Sequence, residues 1–130
     1  MKTRTRLLIF GALFLSLCGT ASGDAVDGDS AIKLLTGSTW SGKNESGRKF
    51  WFYHTSDGKA FAKFEPGYGN KRLFTASWKM TAGGEICWEW EYGETNCYVL
   101  FEIEGNELSM TRRDGVVHSG RLKEGNTEGL

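Results

Sequence analysis

Apolar and polar residues alternate most clearly in Phe74-Thr-Ala-Ser-Trp-Lys-Met80, where Phe74, Ala76, Trp78 and Met80 fall on one side and Thr75, Ser77 and Lys79 on the other. A period of two is what a strand half-buried against a core requires. Short runs rich in aromatic and β-branched residues recur from Gly37 to Gly125. They are separated by Asn44-Glu-Ser-Gly47, Ser56-Asp-Gly58, Pro66-Gly-Tyr-Gly-Asn70, Ala82-Gly-Gly84, Tyr92-Gly93, Gly105-Asn106 and Asp114-Gly115. Runs broken by turn residues at this spacing read as successive antiparallel hairpins. Eight strands are predicted, near 38–44, 48–55, 58–65, 71–81, 84–91, 95–104, 106–113 and 116–124. Turns this short leave no room for crossovers, and an open meander would expose two edges that closure removes. The predicted fold is all-β, a small antiparallel up-and-down barrel or barrel-like meander over residues 38–126. One run departs from the pattern: Phe61 and Phe64 are three apart, which points to a bulge or to a misplaced strand.

Residues 24–37 read as an amino-terminal extension with a short helix. Asp29-Ser30 would cap it, Ile32, Leu34 and Leu35 would form its apolar face, and Gly37 would end it. Ahead of it, Lys2, Arg4 and Arg6 precede an apolar run from Leu7 to about Gly19 and then small residues. That order is a secretory signal peptide, and the run is too short to span a bilayer. Cleavage after Gly23 is expected, with cleavage after Ala21 as the alternative. A second alternative is lipidation at Cys18, because Leu15-Ser16-Leu17-Cys18 resembles a bacterial lipobox, though with a bulky Leu17. The expected location is periplasmic or secreted.

Loss of the leader leaves 107 residues, enough for one core and too few for a second domain. It also leaves 13 basic against 16 acidic side chains, a net charge of −3 that gives nucleic acid or an anionic membrane no purchase. Only Cys87 and Cys97 remain, and in an oxidising compartment the pair is expected as a disulfide. With Tyr92-Gly93 at the turn, a symmetric hairpin sets Cys87 opposite Cys97 and pins the register. Ile86, Trp88 and Trp90 then share a face with Tyr98 and Leu100. Cys87, Glu89 and Glu91 share the other with Cys97, Val99 and Phe101. Both faces are partly apolar, so alternation does not decide which one lines the interior.

Leu35-Thr-Gly-Ser-Thr-Trp40, Phe52-Tyr53 before Asp57-Gly58, Ser77-Trp78, Cys87 with Trp90, Cys97-Tyr-Val99, Asp114-Gly115 and Glu124-Gly-Asn126 follow one another along nearly the whole mature chain. This order resembles a family of small secreted proteobacterial proteins known only as a domain of unknown function. The chain departs from it in carrying Ser38 where the family more often has Asn. The family implies no activity. The start Gly37-Ser-Thr-Trp40 is also similar to lipocalin-like barrels, one residue longer than their Gly-x-Trp motif. That likeness implies a structural Trp40 covered by a cation, from Arg121 or Arg112. It speaks to fold alone.

Chemistry is sparse. Glu89, Glu91 and Glu94 cluster, but a glycosidase needs two acids facing each other about 5–10 Å apart across a cleft, one with a raised pKa. Two acids on one strand face are equally the pattern of a solvated surface. His54 and His118 lie on different strands and lack the further ligands a metal site needs. No Gly-x-Ser-x-Gly and no Gly-rich phosphate loop is present. No metal or cofactor is therefore expected. Aromatic residues are the one excess, 15 of them outside the leader. Most fill the core of so small a barrel, while some serve as anchors. Trp51, Trp88, Trp90 and Tyr98 are the candidate binding residues. The expected function is a non-enzymatic binding module, taking a small apolar ligand in the barrel mouth or an envelope protein at an aromatic face. The alternative is an envelope-glycan hydrolase whose carboxylate pair includes Glu89 or Glu91.

Overall fold

The computed structural model describes residues 23–130. The expected leader as far as residue 22, with the lipidation alternative at Cys18, lies outside the described residues. β1 (Asp24–Val26) and α1 (Gly28–Leu35) come first. Eight strands follow: β2 (Ser38–Lys43), β3 (Lys49–His54), β4 (Lys59–Tyr68), β5 (Lys71–Met80), β6 (Ile86–Trp90), β7 (Thr95–Glu104), β8 (Glu107–Arg112) and β9 (Val117–Glu124). Each is antiparallel to the next, and β2 pairs with β9 from Ser38↔Glu124 to Gly42↔Gly120, closing the barrel. The eight expected strands are present, with β4 running three residues past its expected end, to Tyr68.

Closure needs room at one place. A Cβ on Gly120 would lie 2.8 Å from Trp40 Nε1 and 2.7 Å from the Ser41 carbonyl, so the strand passes under the Trp40 indole only because Gly120 has no side chain. Trp40 is buried, and its Nε1–H donates to the Leu108 carbonyl at 3.0 Å. Its ring lies against Phe50 and Phe52. The cation expected over Trp40 is not there. Arg121 is exposed on the outer face opposite Ser41, and Arg112 is held by both carboxylate oxygens of Asp114. Trp40 is instead held by packing and by its N–H.

The helix begins two residues earlier than its composition indicated. Asp27 is the N-cap, and its carboxylate accepts from the Ser30 N–H at 2.8 Å. Ala31 and Leu35 are fully buried and join the interior cluster at the end of the barrel where β2 starts and β3 stops. There α1 acts as a floor. β1 was not expected. β6 starts at Ile86, opposite Tyr98, so the rest of β7 would be unpaired on that side, and β1 fills the gap by pairing Asp24 to Val26 with Ile103 to Phe101.

Cys87 and Cys97 are directly opposite in the β6–β7 register and form a disulfide. Trp88, Trp90 and Tyr98 point inward and the disulfide points outward, which settles the face that alternation left open. The expected partition fails further along. A bulge between Tyr98 and Leu100 reverses the phase, so Phe101 is buried at 3% exposure and Leu100 stands 61% exposed. In β4, pairing with β5 is regular from Lys59 to Lys63, and the irregularity expected near Phe61 and Phe64 follows between Lys63 and Tyr68. Ala60, Ala62 and Phe64 point inward there and Phe61 outward. Replacing both cysteines with serine is expected to lower stability by about 2–3 kcal/mol through the loop entropy regained on unfolding, leaving a folded barrel. Thermal unfolding with and without reductant checks this, and two free thiols in protein taken from its host without reductant would contradict the pairing.

Candidate functional site

In an up-and-down barrel, alternate turns share an end. The β2–β3, β4–β5, β6–β7 and β8–β9 turns therefore gather opposite the α1 floor. They surround a cavity of about 340 Å³ whose floor includes Trp40, Phe50 and Met110. Phe52, Phe64, Trp88, Trp90 and Tyr98 make up most of its wall. Tyr68 and Tyr92 stand at the rim, 43% and 57% exposed. Trp90 stacks on Tyr92 at 14° between ring planes, which carries the aromatic wall out to the solvent.

The polar groups of this wall are mostly spoken for. Trp90 Nε1–H donates to Asn96 Oδ1 at 2.8 Å, and Trp88 Nε1–H donates to His54 Nε2 at 3.1 Å. Tyr98 is pushed well above the usual tyrosine value by burial and so keeps its proton. Its hydroxyl shares a hydrogen bond of 2.7 Å with His118 Nδ1, and His118 Nε2 bonds the Glu45 carboxylate at 2.8 Å. That bond holds the Glu45 carboxyl below its usual range. The Tyr98–His118–Glu45 chain ties β7, β9 and the β2–β3 turn together on one side of the mouth.

Of the residues singled out from the sequence, Trp88, Trp90 and Tyr98 meet at this cavity. Trp51 does not. It alternates with the inward Phe50 and Phe52, and the Lys63 ammonium lies 4.7 Å from its ring centre on the outer face. His54 and His118 do not form one site: His54 bonds Trp88, while His118 bonds Tyr98 and Glu45. Glu85 lies beside Cys87 and Cys97, but the disulfide leaves no thiolate to bind a metal. Glu89 and Glu91 are exposed on the outer face of the β6 hairpin and line no part of the cavity. Glu91 accepts from Thr75 and pairs with Lys71 at 2.6 Å, and the lysine holds its carboxyl down, the reverse of what a general acid needs.

Arg48, Glu45, Tyr68 and Asn96 were not singled out, since three of them sit in or beside segments read only as turns. The signal was the turn parity of the meander, which puts the first, third, fifth and seventh turns around one opening. No helix among the described residues is long and apolar enough to cross a membrane. No protein-family model matches the chain, and no curated protein does either.

Proposed function

We propose that this protein is a non-enzymatic binding module of the cell envelope that holds one small, largely apolar ligand in the mouth of a lipocalin-like barrel. The observation that carries this reading is the aromatic cavity of about 340 Å³, floored by packed side chains and reached from one end. That volume lies at the lower end of the range of small-molecule sites, and its make-up is theirs: apolar walls with a few fixed polar groups. A small ligand is favoured over a protein partner because Trp88, Trp90 and Tyr98 face inward, where a protein surface does not reach them. Binding is favoured over hydrolysis because neither Glu89 nor Glu91 borders the cavity. The disulfide fits an oxidising compartment, and with the amino-terminal leader it supports export to the periplasm or beyond.

Titration with the uncharged fluorophore N-phenyl-1-naphthylamine tests the reading. Saturable, single-site enhancement with energy transfer from tryptophan is expected, and Tyr98→Trp, which narrows the cavity, should weaken it. No saturable binding, together with a bare mass for protein taken gently from its host's envelope, would overturn it. The same mass spectrum checks leader removal and the two hydrogens lost to the disulfide.

A further inference from the structure

Among the charged side chains around the cavity, one stands apart. Arg112 is engaged by Asp114, and Glu45 is engaged by His118. Glu94 lies on the exposed rim in contact with water. Arg48 lines the same cavity, and among the described residues no carboxylate lies within ion-pair distance of it. Its Nε is shut off from water and has no hydrogen-bond partner among the described residues. Nη1 donates to the Ser46 hydroxyl at 3.1 Å. Guanidinium stays charged at any physiological pH, and a donor closed off from water without an acceptor is costly.

The same side chain is held ready. The Arg48 backbone N–H donates to Asn44 Oδ1 at 3.0 Å, which fixes the turn, and the guanidinium carbon lies 4.0 Å from the centre of the Tyr68 ring. A planar fork pinned by a turn on one side and an aromatic face on the other loses little entropy when it meets a ligand. We infer that the ligand is an amphipathic organic anion, a small aromatic or alicyclic acid whose apolar body fills the Trp88–Trp90–Tyr98 cavity while its carboxylate or equivalent oxyanion accepts from Arg48. This rests on the binding-module reading and names the ligand class of the same site. A cavity of about 340 Å³ suits a single small acid rather than a two-chain lipid.

The test compares two probes with one aromatic skeleton on the full exported chain: N-phenyl-1-naphthylamine, and 8-anilinonaphthalene-1-sulfonate, which adds an anion. The anionic probe is expected to bind the native protein about tenfold or more tightly, the gain of a charge-assisted hydrogen bond in a sheltered site. That advantage should shrink as salt is raised. Arg48→Gln should abolish it while leaving the neutral probe within about twofold, and Arg48→Lys should restore part of it. Arg121→Gln, on the outer face, is the control and should change neither affinity. Equal affinities of the native protein for the two probes would overturn the inference while leaving the binding module standing, as would equal losses in Arg48→Gln. If neither probe binds, the reading beneath it fails. The comparison on native protein holds even if a variant does not fold.

Discussion

Replacing Trp88 with alanine is expected to cost about 3–5 kcal/mol of stability, the range for deleting a large aromatic from a packed interior. Trp88 is 1% exposed and lies against Trp78, His54 and Tyr98. Its loss would open a void at the centre of the barrel and leave His54 Nε2 without the donor it now has at 3.1 Å. Trp51→Ala deletes the same side chain from the outer face, where Lys63 covers it in part, and should cost no more than about 1–2 kcal/mol. Urea titrations of the two variants, with m-values checked for equality, measure the difference. Equal costs would mean that the inward and outward faces are misassigned.

The same contrast shows what alternation reveals and what it conceals. In β5, Phe74, Ala76 and Trp78 are inward and the residues between them are exposed, as their period of two required. Met80, the last of that series, is 37% exposed at the strand's end, with its sulfur beside Gly28 at the start of α1. In the β6–β7 hairpin the rule lost its force, since Cys87 is as apolar as its inward neighbours and is covered on the outside by its own disulfide. The bulge after Tyr98 has no glycine or proline to announce it, and the only trace is Tyr98 and Phe101 three apart. β4 carries a like spacing at Phe61 and Phe64, and there too the pairing with β5 loses register, between Lys63 and Tyr68. There the inward residues are small: Ala62 lies between Phe52 and Phe74 on the neighbouring strands, and Ala60 lies beside His54. A narrow barrel is limited by volume, so a position facing large side chains takes alanine and carries no hydrophobic signal.

The site was legible in part for a related reason. The aromatic wall came from counting large apolar residues, and Trp88, Trp90 and Tyr98 were found that way. The groups that give the mouth its chemistry, Arg48, Glu45 and Asn96, are polar residues at or near turns, where polarity is the ordinary state. Only the topology distinguishes them. Once eight strands are joined by short turns, Asn44–Gly47, Pro66–Asn70, Tyr92–Gly93 and Asp114–Gly115 fall around the end opposite the helix. A turn arginine there faces a cavity rather than bulk solvent.

Acid should unfold this barrel sooner than its carboxylates alone would. His54 is fully buried, and burial lowers its pKa from 6.5 to about 3. Its Nε2 accepts from Trp88, so the ring is neutral with its proton on Nδ1, which has no partner among the described residues. Above about pH 6.5 the ring is neutral in both folded and unfolded chains and pH has no effect through it. Below that, the unfolded chain takes a proton that the folded one refuses, so stability falls by up to about 1.4 kcal/mol per pH unit. Down to pH 3 the loss amounts to about 4–5 kcal/mol, of which about 2–3 falls before pH 4.5. Asp114, held to about 2 by Arg112, and the lowered carboxyls of Asp27, Glu45 and Glu91 add their own losses mainly below pH 4.5. The upper part of the window therefore reports on His54. His54→Gln keeps an acceptor for Trp88 without a titrating ring, so it should start less stable but lose much less between pH 6.5 and 4.5. Stability measured by denaturant at half-unit intervals checks this. If the two profiles run parallel through that range, His54 is not the group that takes up the proton, and the barrel's centre is wetter than its packing implies.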